Sequence, residues 1–258
     1  MRGAWAVLLL VVLALVDGAR AASARQPGDP IRLDWTEGDV AGFSAIKAPD
    51  GSEAIGSIEY HQRRNGDVLE AVRVARFVDG SSDEDHAVAR VGGAQLEAVS
   101  GRSIIRDAGG EVIVDVNIDV EGDRLHGFWI DDGEREEFDM QADLPPATYW
   151  GPLIFIVLKN FAANAEHGRV RFQTVAPTPR PRVLTLELVR DGASTLDRPG
   201  GELGVHDYVL RPNIGWAVDP IIHALIPSTR FFVEPGAPPA LARFAGPRNY
   251  AGQEIRLE

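Results

Sequence analysis

The strongest constraint on the fold of this 258-residue chain is an alternation of apolar and polar residues with a period of two. In the clearest stretch, residues 112–120, every second residue is valine or isoleucine, and the residues between them include Asp115, Asn117 and Asp119. Successive side chains of a β-strand point to opposite faces, so one face of this stretch is apolar and the other acidic. The pattern predicts a half-buried antiparallel strand.

The same alternation recurs through most of the chain after its first 25 residues. The other candidate strands are 31–36, 54–62, 68–78, 85–91, 94–106, 125–130, 169–176, 182–190, 203–210, 229–234, 241–245 and 253–257. Turn signals such as Asn65-Gly66, Asp132-Gly133 and Asp191-Gly192 separate them, and Gly and Asn reach the positive φ that tight hairpins need. Strands at this spacing predict an up-and-down antiparallel meander.

Two apolar segments interrupt the alternation and predict helices. The longer covers residues 153–165, with Pro152 suited to the first helical turn and Gly168 just past the end. This segment is apolar on almost all sides, so we expect its helix to be buried. The shorter lies within residues 216–227, where Asp219 is a candidate cap and Pro227 ends the helix.

These patterns together predict a mainly β fold: a curved antiparallel sheet, half-barrel or barrel-like, wrapped on one long and one short apolar helix. The proline-rich residues 176–181 are expected to form an extended edge or hairpin within a single domain over residues 22–258. A division into two domains near 176–181 is the alternative. Whether the helices fill the hollow of the sheet or leave a cavity decides what the protein can bind.

The first 24 residues have the form of an export signal. Arg2 precedes an apolar run of 13 residues over 4–16, and two A-x-A cleavage sites end at Ala21 and Ala24. A membrane span needs about 20 apolar residues, so the run is too short for one. We expect residues 1–21 to be a signal peptide and the mature protein to be periplasmic or secreted; an uncleaved anchor is the alternative.

Composition and missing motifs exclude several functions. The chain has no cysteine, which excludes disulfide scaffolds, thiolate metal centres and lipid-modified cysteine. Its net charge of -12 argues against a nucleic-acid partner, because binding to phosphate backbones requires clustered Lys and Arg. No G-x-S-x-G elbow, P-loop or dinucleotide fingerprint occurs. The sequence predicts no cofactor.

The acidic and histidine residues give weaker signals. The acidic runs 79–86 and 131–137 lack the spacing of a calcium loop, and we interpret both as solvated hairpin loops. No pair of histidines has a compact metal-ligand spacing, so the sequence predicts no metal site. The candidate acid–base residues are His223 in the shorter helix, Asp219 four residues before it, and His126 in a strand.

Large aromatic side chains gather near the two predicted helices. Such rings act either as core packing or as the wall of an apolar pocket, where a ring with one polar atom suits an amphipathic ligand. The candidate ligand-binding residues are Trp129, Tyr149, Trp150, Phe155, Phe161, Trp216 and Ile222.

The order of these features resembles a known group of exported proteins. A strand-rich half opens with Gly56-Ser57-Ile58-Glu59-Tyr60, a Leu-Pro-Pro motif at 144–146 leads into the apolar helix, and a second strand-rich half ends at residues 243–250. This layout is similar to uncharacterised exported bacterial proteins with the lipoprotein-carrier (LolA/LolB-like) half-barrel. Proteins of the LolB type carry a lipid on a cysteine, which this chain lacks. The resemblance implies a periplasmic half-barrel that holds a lipid or another apolar ligand.

Three functions are compatible with the sequence. The first is a non-catalytic exported protein that binds a lipidic or amphipathic small molecule in the concavity by burying apolar surface. The second is a lipocalin-like enzyme, a hydratase or isomerase, acting on an apolar substrate through His223, Asp219 or His126. The third is a cell-envelope structural or assembly protein working by strand addition at an open sheet edge. Contact with a membrane surface is compatible with the first, without a span after signal cleavage.

Overall fold

The computed structural model describes residues 26–35, 38–177, 180–213, 229–248 and 253–258. Within these ranges the chain forms fifteen β-strands and two short α-helices. The strands are β1 (Ile31–Arg32), β2 (Val40–Lys47), β3 (Ala54–Asn65), β4 (Val68–Phe77), β5 (Ser82–Gly92), β6 (Gln95–Arg106), β7 (Val112–Asp119), β8 (Arg124–Asp131), β9 (Glu134–Gln141), β10 (Arg169–Ala176), β11 (Arg182–Arg198), β12 (Gly201–Pro212), β13 (Thr229–Glu234), β14 (Ala240–Pro247) and β15 (Glu254–Leu257). The helices are α1 (Leu153–Lys159) and α2 (Phe161–Asn164).

All the strands belong to one antiparallel sheet. Its order is β10-β11-β12-β13-β14-β15-β2-β3-β4-β5-β6-β7-β8-β9, and β1 adds a short pairing beside β6. The chain therefore runs as a meander from β2 to β9, crosses over through the helices, and returns as a second meander whose last strand, β15, pairs with β2. The predicted curved antiparallel sheet is confirmed, and it does not close on itself, since β9 and β10 are its two ends.

Both ends of the sheet are protected against pairing with another chain. The segment before α1 covers β10, because the Tyr149 amide donates to the Gln173 carbonyl and the Gln173 amide donates to the Ala147 carbonyl. Strand β9 has the sequence EREEFDMQ, and its charged, mostly exposed side chains disfavour edge-to-edge association.

The predicted alternation is seen in the strands. In β7 the side chains of Val114, Val116 and Ile118 are buried on the inner face, while Asp115 and Asn117 lie half-buried on the outer face. Two strands were missed: β2, which has only one buried side chain, and the charged β9. Both lack a clear apolar alternation because most of their side chains are exposed or half-buried.

The predicted hairpin at Asp191-Gly192 is wrong, because β11 continues through it to Arg198 with a register shift at this point. The hairpin between β11 and β12 instead turns at residues 199–200. The extra residue at this shift is Asp191, so the segment forms a bulge rather than a turn. The proline-rich stretch connects β10 to β11, which pair with Ala176 opposite Arg182.

The predicted long helix is also wrong in one respect, because it consists of two short helices broken at Asn160. This buried residue uses its amide to hold the N-terminal segment: its Oδ1 accepts from the amides of Asp34 and Trp35, at 2.8 and 2.9 Å. One turn later, Asn164 Oδ1 accepts from the Arg32 amide at 2.6 Å and its Nδ2 donates to the Arg32 carbonyl. Buried polar groups need such partners, so these contacts favour a break in the helix over a continuous apolar rod.

The helices fill part of the hollow with apolar side chains. Leu153, Ile156, Val157 and Leu158 of α1 are buried, and they belong to one large core cluster with residues from strands of both meanders. At roughly 1.5–3 kcal/mol for each fully buried large side chain, this face supplies most of what holds α1 against the sheet.

Several sequence-based predictions lie outside the described residues. They include the signal peptide at 1–21 and the shorter helix with Trp216, Asp219, Ile222 and His223. Among the helices of the described ranges, none has the length and apolar character needed to cross a membrane.

Candidate functional site

A cavity of about 170 Å³ lies between α1 and the inner face of the sheet. Its wall draws on strands that are distant in the sheet order, β4 to β7 on one side and β10 to β14 on the other. Strands so far apart can share one cavity only because the sheet curls around it. We call this space the inner cavity. It exceeds the roughly 30 Å³ of a single water in the liquid, so the helices do not fill the hollow completely.

Most of the wall of the inner cavity is apolar, but one end carries paired charges. On β4 and β5, Arg73 lies opposite Asp85, and its guanidinium binds Asp85 Oδ2 with Nε at 2.9 Å and with Nη2. Asp85 Oδ1 accepts from the Ser103 hydroxyl at 2.7 Å. Burial would lower the pKa of Arg73, but the negative charges of Asp85 and Asp83 outweigh it and hold the pKa above its usual value.

A second pair adjoins the first and ties the two meanders together. Arg248, just after β14, donates to both oxygens of Asp83 at 2.9 and 2.7 Å, and to the Ser81 hydroxyl at 2.9 Å. Its guanidinium carbon stands 3.7 Å from the centre of the Phe77 ring. Bidentate and stacked contacts of this kind suit arginine and not lysine. We call Arg73, Asp83, Asp85 and Arg248 the inner charge cluster; its formal charges sum to zero.

The interpretation of residues 79–86 as a solvated loop is wrong for its second half. Asp83 and Asp85 lie in β5 and are buried, on the same face as Ala87 and Ala89. The predicted strand 85–91, extended two residues toward the N-terminus, would have placed both carboxylates on the inner face. Their partners Arg73 and Arg248 gave no comparable signal, because only the fold brings them near. The other acidic run, 131–137, forms the turn and first half of β9 instead of a loop alone.

Two glycines let the segment before α1 approach the sheet. Trp150 lies over Gly101, where an added Cβ would stand 2.2 Å from the indole ring, and its Nε1 donates to the His86 carbonyl at 3.2 Å. Gly151 has φ +47° and would bring a Cβ within 2.8 Å of Asp85 Cβ. The lack of side chains at these positions therefore sets Trp150 and the start of α1 against the inner charge cluster.

A second cavity, of about 490 Å³, opens at the junction between the two meanders. It lies between β14 and β2, beyond the end of the short strand β15, and its floor includes Phe155, Ile156 and Lys159 of α1. We call it the seam cavity. Phe155 and Phe244 line both cavities, so these two rings stand between them. The Phe155 ring makes edge contacts with Tyr60 and Phe231, at centroid distances of 5.9 and 6.4 Å.

The structure distributes the predicted ligand-binding residues among different environments. Trp150 and Phe155 line the inner cavity. Tyr149 is fully buried, accepts from the Ile31 amide and donates to the Leu96 carbonyl. Phe161 packs edge-on against Tyr208 in the core, and Trp129 packs on Phe138 near the sheet edge. Trp216 and Ile222 lie outside the described residues.

The predicted acid–base residues are not placed together by the described structure. His126 is exposed on the outer face of β8, opposite Asp139, whereas the inner cavity is lined by the inner face. His223 and Asp219 lie outside the described residues. Over the part of the chain that the structure describes, no three His, Asp or Glu side chains lie close enough together to hold a metal ion.

Comparison with known proteins finds no matching family model and no matching curated protein. Among solved structures, the chain is similar to a crystal structure of a β-barrel-like protein of a domain of unknown function, DUF1849, from Brucella abortus. The two are 11% identical, the match covers 88% of this chain and 96% of that chain, and the TM-score is 0.48. That protein is itself described as being of unknown function.

Proposed function

We propose that this protein is a non-catalytic, exported protein that binds a lipidic or amphipathic small molecule in the hollow of its curved sheet. The observation that carries the proposal is the inner cavity, which combines apolar walls with the inner charge cluster at one end. Small-molecule sites are typically concave and mostly apolar, with a few placed polar groups that fix orientation. The resemblance to the lipoprotein-carrier (LolA/LolB-like) half-barrels belongs to this proposal, since both would surround a hollow with a curved sheet.

The inner charge cluster supports a role in binding a polar group of the ligand, without a chemical reaction of that group. Each guanidinium has five N–H donors and each carboxylate about four acceptor positions, so the contacts within the cluster leave capacity for a ligand. Because every charge is already paired, the cluster keeps its geometry in the absence of a ligand. A preformed site of this kind avoids part of the ordering cost of binding.

The protected sheet edges are the reason for preferring ligand binding to assembly by strand addition. Strand addition needs a row of accessible backbone groups, and the charged β9 and the covered β10 offer poor templates. Of the residues that the enzyme alternative draws on, His126 lies on the opposite face of the sheet from the inner cavity, and His223 and Asp219 lie outside the described residues.

The test is to extract the purified protein with organic solvent and identify bound molecules by mass spectrometry. We expect a lipid or other amphiphile in near-stoichiometric amount. The variant Ile154→Phe, which adds bulk on the wall of the inner cavity, should lose most of it. Val78→Phe adds the same kind of bulk at a site that is 77% exposed and serves as the matched control. An empty wild-type protein that also takes up no added amphiphile would overturn the proposal.

A further inference from the structure

The seam between β14 and β2 is an incomplete part of the sheet wall. Strand β15 has four residues and pairs with β2 only through Ile46 and Lys47, with two further backbone bonds between Ala45 and Glu258. Among the described strands, none pairs with residues 40–44 of β2 or residues 240–243 of β14 across this seam. The described strands therefore leave an unpaired line between β14 and β2, and we call the seam cavity that lies along it the slit.

The slit reaches from the surface to α1. Phe43 on β2 and Leu241 on β14 lie on its two sides, and they are 72% and 36% exposed. Ile156 and Phe155 form its floor, and the inner cavity begins on the other side of the Phe155 and Phe244 rings. Its volume of about 490 Å³ falls within the roughly 300–1,000 Å³ of small-molecule sites, whereas the inner cavity alone is smaller.

The slit is locally cationic in an acidic protein. Lys159, Arg198 and Arg243 line it, and Glu258 is the one residue with a carboxylate side chain among its described lining residues. Glu258 is already bound by Lys47 at 2.8 Å, by Arg243 at 2.6 Å and by Arg256. In addition, Arg243 Nε is buried without a hydrogen-bond partner within the described structure. An excess of cations beside an apolar floor is complementary to an anion on an apolar chain.

We propose that the slit is a lateral opening for a free, single-chain anionic amphiphile such as a fatty acid. The headgroup binds at Lys159, Arg198 and Arg243, and the alkyl chain lies on Ile156 and Phe155 toward the inner cavity. This inference rests on the proposed function and names its ligand class and its route. An arginine or lysine forms charge-assisted hydrogen bonds with a carboxylate, which a neutral headgroup cannot match.

The test compares two probes with the same chain, dodecanoate and dodecanol, by titration calorimetry at a pH of about 8, where a carboxylic acid is ionised. We expect dodecanoate to bind about tenfold more tightly than dodecanol. The double variant Lys159→Gln/Arg198→Gln should bring dodecanoate to the level of dodecanol. The matched control Arg63→Gln/Arg182→Gln removes two exposed arginines away from the slit and should leave the ratio unchanged.

The outcomes separate the two proposals. Equal binding of both probes, unaffected by the double variant, overturns the anionic slit and leaves the hollow as a ligand site. No binding of either probe overturns both. Binding to vesicles of anionic phospholipid but not to monomeric dodecanoate overturns the free amphiphile in favour of a membrane surface.

The absence of cysteine permits a second, local measurement. An environment-sensitive fluorophore on Leu241→Cys should shift its emission to shorter wavelength when dodecanoate binds, because the rim of the slit becomes less polar. The same fluorophore on Val78→Cys should not respond. A shift at both positions or at neither, under conditions in which calorimetry shows binding, overturns the assignment of the slit.

Discussion

The two cavities on either side of Phe155 differ in how the charges on their walls are balanced and how far they are buried. In the inner charge cluster, two arginines meet two aspartates, and the side chains of Asp83 and Asp85 are 7% and 9% exposed. The slit is lined by three cationic side chains and by one residue with a carboxylate side chain, Glu258, and Arg198 lies exposed near the surface. Burying an unpaired charge costs several kcal/mol, whereas a surface charge stays solvated. The comparison indicates that an excess of positive charge costs less free energy at the solvated slit than in the inner cavity. A preference for an anionic ligand is therefore expected at the slit.

The largest effect should come from breaking the inner charge cluster. Asp85→Ala leaves the Arg73 guanidinium buried without its main partner, and removing one member of a buried pair costs about 3–5 kcal/mol. Urea denaturation should show this loss in the free energy of unfolding. Asp191→Ala removes the carboxylate of an exposed pair with Arg230 and should leave that free energy nearly unchanged. Similar losses in both variants would mean that burial does not distinguish the two pairs.

The next largest effect should come from removing the ring that separates the two cavities. Phe155→Ala deletes a half-buried ring and should destabilise the protein by about 3 kcal/mol, at the lower end for such a truncation. The two cavities then become one and can hold a longer chain. The ratio of the affinity for hexadecanoate to the affinity for dodecanoate, measured by calorimetry, should therefore be higher in the variant than in the wild type.

Phe43→Ala is the control for Phe155→Ala, since it removes the same ring from the exposed β2 side of the slit. It should leave stability and the preference for chain length nearly as they are. An unchanged chain-length preference in Phe155→Ala would contradict the role of this ring as the boundary.

A smaller effect tests the wall of the inner cavity at its closest contact. Gly101→Ala places a methyl group against the Trp150 indole and the His86 carbonyl, and overpacking of this kind costs about 1–3 kcal/mol. The tryptophan emission should shift as Trp150 moves, while thermal unfolding reports the lost stability. Gly204→Ala adds the same methyl where nothing lies within 4 Å and should change neither.

The smallest effect concerns pH at the slit. Burial alone would raise the pKa of Glu258, but hydrogen bonds from Lys47 and Arg256 and the positive charge of Arg243 outweigh it and lower the pKa. A lowered folded-state pKa contributes stability above the unfolded value of about 4.3, and this contribution is lost as the pH falls through the folded-state pKa.

Glu258→Gln removes that contribution, so the difference in unfolding free energy between wild type and variant should shrink as the pH falls below about 4.3. Denaturation at several pH values measures the difference directly, and pH dependence from other carboxylates such as Glu187 cancels in it. A difference that stays constant with pH would contradict the role assigned to Glu258.

The fold was largely predictable because alternation is a local property. Residues 112–120 contain the complete pattern of β7, and the pairing of neighbouring strands follows from short turns. The pairing of β15 with β2, which curls the sheet, was not predictable, since it joins residues about 200 positions apart along the chain. The break at Asn160 depends on hydrogen bonds to residues 34 and 35, which a helical periodicity does not contain.

The candidate site was less predictable than the fold. Trp150 and Phe155 were identified as candidates from their position near an apolar segment, and both line the inner cavity. The charged residues were missed, because the sequence shows neither that Arg248 reaches Asp83 nor that Lys159 faces a gap in the sheet. Apolar patterns report which residues are buried, whereas charge pairing across a fold depends on contacts between distant elements.

The most direct test of the account locates the ligand relative to Phe155. In NMR spectra of the purified protein with dodecanoate labelled with ¹³C at its terminal methyl group, we predict intermolecular nuclear Overhauser effects between that methyl and the ring protons of Phe155, and their loss in Phe155→Leu. Effects from the methyl to Val78 or Met140 on the outer surface, with none to Phe155, would contradict the proposal that the hollow and its slit hold the amphiphile.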